Sequence, residues 1–166
     1  MDAYTTALTL LSRRELSTRQ LRERLARRQF SADDIDSVVT RLTADRTLDD
    51  NRVAMASARL EASVRRRGRR RVLQQVRQLG ISEETAKSAV DQIFADVDES
   101  ALLDEAIARR LRGKAARDLD ARGLARIVRG LVTQGFEAGR VYARLRSASS
   151  RALDEDAPIR DTGGDE

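Results

Sequence analysis

Seven arginines fall between residues 65 and 77 (Arg65, Arg66, Arg67, Arg69, Arg70, Arg71 and Arg77), with no carboxylate among them. A guanidinium group is planar, permanently charged and rich in paired N–H donors. Such a cluster therefore suits the binding of carboxylates or phosphates and not proton transfer. Gly68 divides the run, so two helices are expected to meet there. Leu60, Val64, Val72 and Val76 are expected to supply the inner face, leaving Arg65, Arg66, Arg69 and Arg70 to project into solvent with little effect on folding. A looser basic set follows. Arg122, Arg126 and Arg129 recur at spacings of four and three opposite Leu124, Ile127 and Leu131, and Arg140 and Arg144 lie on the last helical stretch. Either set can also be read as a solvated helix face without a partner.

Other chemistry finds little to stand on. The chain has no histidine and no cysteine, which removes Ser–His and Cys–His nucleophiles and the usual zinc sites. Asp49 and Asp50 adjoin at a helix start, where a short carboxylate caps exposed N–H groups, and no third ligand stands near them. The RRRGRRR run has one glycine and lacks the Lys-Ser/Thr of a phosphate loop. The basic stretches carry no aromatic platform for stacking bases. No catalytic residue, metal ligand or cofactor is expected.

The elements that must position the arginines are helical. Charged residues make up 36% of the 166, aromatics 3%, and proline occurs once, a balance that favours helix over sheet. No long uncharged apolar run and no signal-peptide layout is present, so the expectation is a cytoplasmic protein without a membrane partner. Ser17–Gln20 reads as a capping box and Ser31 as the cap of the next helix. The second helix is expected to end near Phe30. Tyr4, Ala7, Leu8 and Leu11 mark the inner face of the first helix, and Val53, Ala56, Leu60 and Val64 that of a helix over 51–66. Gly80 follows the helix after the arginines, where a left-handed residue is cheap.

One pattern returns three times. Leu21, Leu25, Phe30, Ile35 and Val39 are spaced 4, 5, 5 and 4; so are Val72, Val76, Ile81, Ala86 and Val90, and Ile127, Leu131, Phe136, Val141 and Leu145. An amphipathic helix precedes each set. The expected fold is all-α, with three tandem three-helix repeats at 1–47, 48–97 and 98–146 stacked into an elongated, curved molecule. Residues 147–166 hold six acids against two arginines and are expected to form a disordered acidic tail. The formal net charge of the whole chain is +5.

The central segment resembles the RecX family, regulators of the bacterial recombinase RecA. The residues that carry the resemblance are Leu48-Asp49-Asp50, Arg52, Ala54, Arg67-Gly68 and Leu79-Gly80-Ile81-Ser82. Val53 stands where the family commonly has Phe, and Arg69-Arg70 where a second glycine is usual. The resemblance spans roughly 3–146. It implies a non-enzymatic monomer that binds RecA filaments on DNA and inhibits ATP hydrolysis and strand exchange, modulating recombination and repair. The basic residues would be its contacts, with Leu48, Asp49, Asp50, Arg52, Gly68 and Gly80 as structural motif. Charge alone leaves open a direct DNA-binding protein, or a helical scaffold for protein partners.

Overall fold

The computed structural model describes the backbone of residues 2–155 and the side chains of 2–148. These residues form α1 (Ala3–Arg13), α2 (Thr18–Ala26), α3 (Ala32–Ala44), α4 (Asp50–Arg59), α5 (Arg69–Gln78), α6 (Glu83–Ala95), α7 (Glu99–Leu111), α8 (Ala121–Thr133) and α9 (Ala138–Glu155). A π-helical turn over Leu60–Val64 extends α4, and a short 3₁₀ turn, Ala116–Asp118, precedes α8. The described residues contain no strand. Residues 1–99 form one compact unit and 100–166 another.

Short polar residues start the helices. Asp2, Ser17, Ser31, Asp49, Ser82 and Asp120 each accept from a backbone N–H in the first turn that follows. Ser17 and Gln20 complete the expected capping box. Helix α2 ends earlier than Phe30, at Ala26. The chain then closes through Gln29, at φ 64°, and the Phe30 N–H reaches back to the Leu25 carbonyl. The same closure ends α8: Gly135 takes φ 106°, and Phe136 N–H donates to the Leu131 carbonyl. In these two sets the six-to-one bond is the physical basis of the five-residue step, because it folds the next apolar side chain back under the helix it terminates; α5 closes instead through Gly80, whose N–H donates to the Arg77 carbonyl. Of the fifteen residues in the three sets, all are buried except Phe30 and Ile127, which are half-buried.

Unit 1–99 has two apolar cores. Leu16, Leu21, Leu25, Ile35, Val39, Leu42 and Leu48 build the first. Val53, Ala54, Ala58, Ala62, Val72, Val76, Ile81, Val90 and Phe94 build the second.

Two expected inner faces are met only in part. In α1 Ala7 is buried and Tyr4 and Leu11 pack half-buried against the first core, while Leu8 is exposed. Along α4 and its π turn, Ala54, Ala58 and Ala62 face inward, Ala56 faces out, and Leu60 and Val64 are 45% and 70% exposed. Small residues four apart let α4 approach α5 and α6 closely, and the larger Leu60 and Val64 are displaced outward.

The C-terminal boundary also shifts. Helix α9 passes Arg146 and continues to Glu155, through a run with no glycine or proline to stop it. The rest of the expected tail, 156–166, lies outside the described residues.

Candidate functional site

The arginine turn is built by the π segment and α5. The Arg65 N–H reaches the Leu60 carbonyl and the Arg67 N–H that of Glu61, widening the end of α4. Arg66 then takes φ 54° and Gly68 becomes the N-cap of α5, without a side-chain cap. Three arginines occupy the first turn of α5, where the positive end of the helix dipole favours anions.

Acids from elsewhere in the fold hold much of the cluster. The decisive one is Glu61, 4% exposed, which accepts a 2.6 Å hydrogen bond from Arg65 Nη1. Its other oxygen lies 2.7 Å from Arg67 Nη1, a charge contact off the line of a hydrogen bond. Arg69 pairs with Asp91 on α6, and its guanidinium carbon sits 5.5 Å from the centroid of the Phe94 ring. Arg77 grips Glu83 with two N–H groups, Nε reaching Oε2 at 2.6 Å. Lys87 adds a contact at 3.2 Å. Arg77 is the main cause that lowers the Glu83 pKa from 4.5 to about 2.

Four expected cluster members, Arg65, Arg67, Arg69 and Arg77, are therefore ion-paired within the fold. Arg65 and Arg69 do not simply project into solvent as the apolar pattern suggested. Arg71 donates to Gln74 Oε1 at 2.9 Å, and Arg70 is exposed and makes no ion pair among the described residues. The residue that sequence reasoning missed is Glu61. Its signal was present, since Glu61 and Arg65 are four apart on one helical face.

The looser basic set lies in unit 100–166. Arg122, Arg126 and Arg129 are exposed on α8. Arg140 donates to Ser100 Oγ at 3.1 Å and Arg144 lies 3.4 Å from Asp104, so these two tie α9 to α7.

The motif residues around 48–52 serve structure. Leu48 is buried, and the Asp49 carboxylate accepts from Asn51 and Arg52 N–H groups. The Asp50 carboxylate accepts from Thr18 N–H at 2.7 Å, at the start of α2. Arg52 pairs with Glu15 at 2.8 Å and donates to the carbonyls of Arg46 and Thr47. Gly80 has φ 75°, and a Cβ there would lie 2.0 Å from Arg19 Cδ. Among the described residues no group of three His, Cys, Asp or Glu side chains is placed to hold a metal ion, and no helix is long and apolar enough to cross a membrane.

A family profile described as "RecX, first three-helix domain" matches residues 3–42. The regulatory protein RecX of Syntrophotalea carbinolica is 31% identical over 142 residues, covering 85% of this chain and 92% of the relative. The chain belongs to the RecX family. The regulatory protein RecX of Halorhodospira halophila is also 31% identical, over 90% of this chain and 87% of the relative. These RecX relatives are named regulatory proteins. The fold agrees. A crystal structure of RecX from Lactobacillus salivarius matches with a TM-score of 0.73 at 17% identity, covering 90% of this chain and 95% of that one.

Proposed function

We propose that this chain is a non-enzymatic regulator of a RecA-type recombinase, which it binds as a monomer in the cytoplasm on filaments assembled on DNA. Bound there, it slows ATP hydrolysis and strand exchange. Membership of a family of regulatory proteins, aligned over most of both chains, carries this reading. The arginine turn supports it physically: the buried Glu61 carboxylate orders Arg65 and Arg67, and the exposed Arg70 stands beside them with no ion pair among the described residues. Fixed guanidinium groups lose less entropy when they pair with carboxylates or phosphates.

The test is DNA-dependent ATP hydrolysis by the recombinase of the same organism, titrated with this protein. Hydrolysis is expected to slow at substoichiometric protein, and unchanged hydrolysis at excess protein would refute the reading. Replacing Arg70 and Arg71 with Gln should weaken filament binding by about 10-fold, on the order of 1.4 kcal/mol.

Direct DNA binding is a second reading, favoured by Arg122, Arg126 and Arg129, which are exposed on one helix and make no ion pair among the described residues. It predicts binding to bare duplex that weakens steeply with salt. Binding to filaments with little affinity for bare DNA would set it aside.

A further inference from the structure

Within unit 100–166, the end of α7, the loop after it and α8 enclose a groove of about 590 Å³. Small-molecule sites commonly measure about 300–1,000 Å³. Arg110, Arg112, Lys114 and Arg126 line it and make no ion pair among the described residues. Arg109 lines it too, 3.4 Å from Glu105. No carboxylate is among the lining residues. The acids of the adjoining loop are engaged elsewhere: Asp118 lies 3.9 Å from Arg117, and Asp120 accepts from Gly123 N–H at 2.7 Å.

The backbone sets two of these cations in place. The half-buried Arg110 donates to the Gly130 carbonyl at 3.1 Å and more loosely to that of Ala106 at 3.4 Å. Two of its five N–H groups are thereby used. Burial first, and then the charge of Arg109, lower its pKa, so its charge is left without compensation. Gly130 makes room for it, since a Cβ there would lie 3.0 Å from Arg110 Nε. Arg112 follows the end of α7 at φ 52°, a left-handed conformation that only glycine adopts freely.

Guanidinium groups match phosphate oxygens in geometry and charge. A single phosphate monoester brings about two negative charges at most, so four uncompensated cations call for more than one phosphate. Leu111, Leu119 and Ile127 also line the groove, and phosphates alone would leave them without a partner. We propose that this groove binds a small organic polyphosphate, its charge matched by Arg110, Arg112, Lys114 and Arg126 and its organic part lying on Leu111, Leu119 and Ile127. With no carboxylate there to hold a divalent cation, the ligand binds as the metal-free anion. The identity of any recombinase does not enter.

Isothermal calorimetry on the full chain at low salt compares ATP, inorganic tripolyphosphate and adenosine. One ATP is expected to bind per chain, tripolyphosphate more weakly and adenosine not measurably. Saturating Mg²⁺ should weaken ATP binding by taking up its charge. Lys114→Gln with Arg126→Gln changes two exposed side chains and should weaken ATP by about 10-fold or more, with the circular dichroism unchanged. Arg70→Gln with Arg71→Gln should leave ATP binding as it was. Failure of both ATP and tripolyphosphate to bind overturns the proposal, and so does undiminished ATP binding by the Lys114 and Arg126 variant. Tripolyphosphate bound as tightly as ATP would mean that the apolar residues take no part, which overturns the assignment of an organic ligand. An acidic peptide or a single DNA strand that binds through the same residues more tightly than ATP overturns it as well, because the groove would then serve a macromolecule.

Discussion

The Ser17 hydroxyl lies 2.5 Å from the Leu79 carbonyl oxygen, 62 residues along the chain. The Ser17 hydroxyl oxygen, which donates to Leu79, also accepts from Gln20 N–H, so one side chain caps α2 and fastens it to the end of α5. Ser17 is fully buried. Ser17→Ala removes both bonds and leaves the Leu79 carbonyl without its donor. A loss of about 1–3 kcal/mol in unfolding free energy is expected, measurable by urea denaturation.

Glu61 should be among the costliest polar positions in unit 1–99. Glu61→Ala leaves Arg65 and Arg67 beside a vacated buried site, with a loss of roughly 3 kcal/mol expected. Adding Arg65→Gln and Arg67→Gln to that variant should recover part of it, because no cation is then left uncompensated. Equal stability of the single and triple variants in chemical denaturation would show that the pairs are not coupled.

Arg65→Gln with Arg69→Gln should lower the melting temperature, with a free-energy loss of about 1–2 kcal/mol. Arg70→Gln with Arg71→Gln should leave it nearly unchanged. Thermal unfolding followed by circular dichroism separates the two pairs. A similar melting temperature for both would mean that the internal ion pairs add nothing.

The Glu83 carboxyl, with its pKa lowered to about 2 from 4.5, yields a pH prediction. A depressed folded-state pKa means that the unfolded chain binds the proton first. The contribution of Glu83 is therefore present above about 4.5 and lost as pH falls towards 2. A carboxyl carbon titration by NMR should find the low value in the native protein. Arg77→Gln should return it towards the ordinary range.

Gly80→Ala places a side chain at φ 75° and against Arg19. The backbone alone costs about 1–2 kcal/mol, and calorimetry should register it even if Arg19 swings aside.

The periodic parts of this molecule could be read from its residues because their causes are local. A serine cap satisfies N–H groups within three residues, and the Phe30 and Phe136 closures need only the preceding turn. The inner face of α4 defeated the same logic. Reading Leu60 and Val64 as inward assumes that the larger apolar side chains hold the interior, whereas Ala56 is already outward before the wide turn begins and the alanines four apart hold the interior through close packing. The partners of the arginines divide the same way. Glu61 was within reach of an i,i+4 rule, whereas Asp91 meets Arg69 only after α5 and α6 pack. The RecX-like motif at 48–52 was visible as a pattern, but the bond from Thr18 to Asp50 that explains it depends on tertiary contact.

The π turn at Leu60–Val64 has a geometric meaning of its own. Such a turn is what an α-helix becomes when it absorbs one extra residue without unwinding its neighbours. Each residue of a regular helix advances the chain by roughly 100° about its axis. The direction in which the arginines leave α4 is accordingly set by a count of residues and not by their charge. A second residue inserted there, continuing as regular helix, would swing the arginines that follow by about a quarter turn. All the arginines would be retained, aimed at the wrong side.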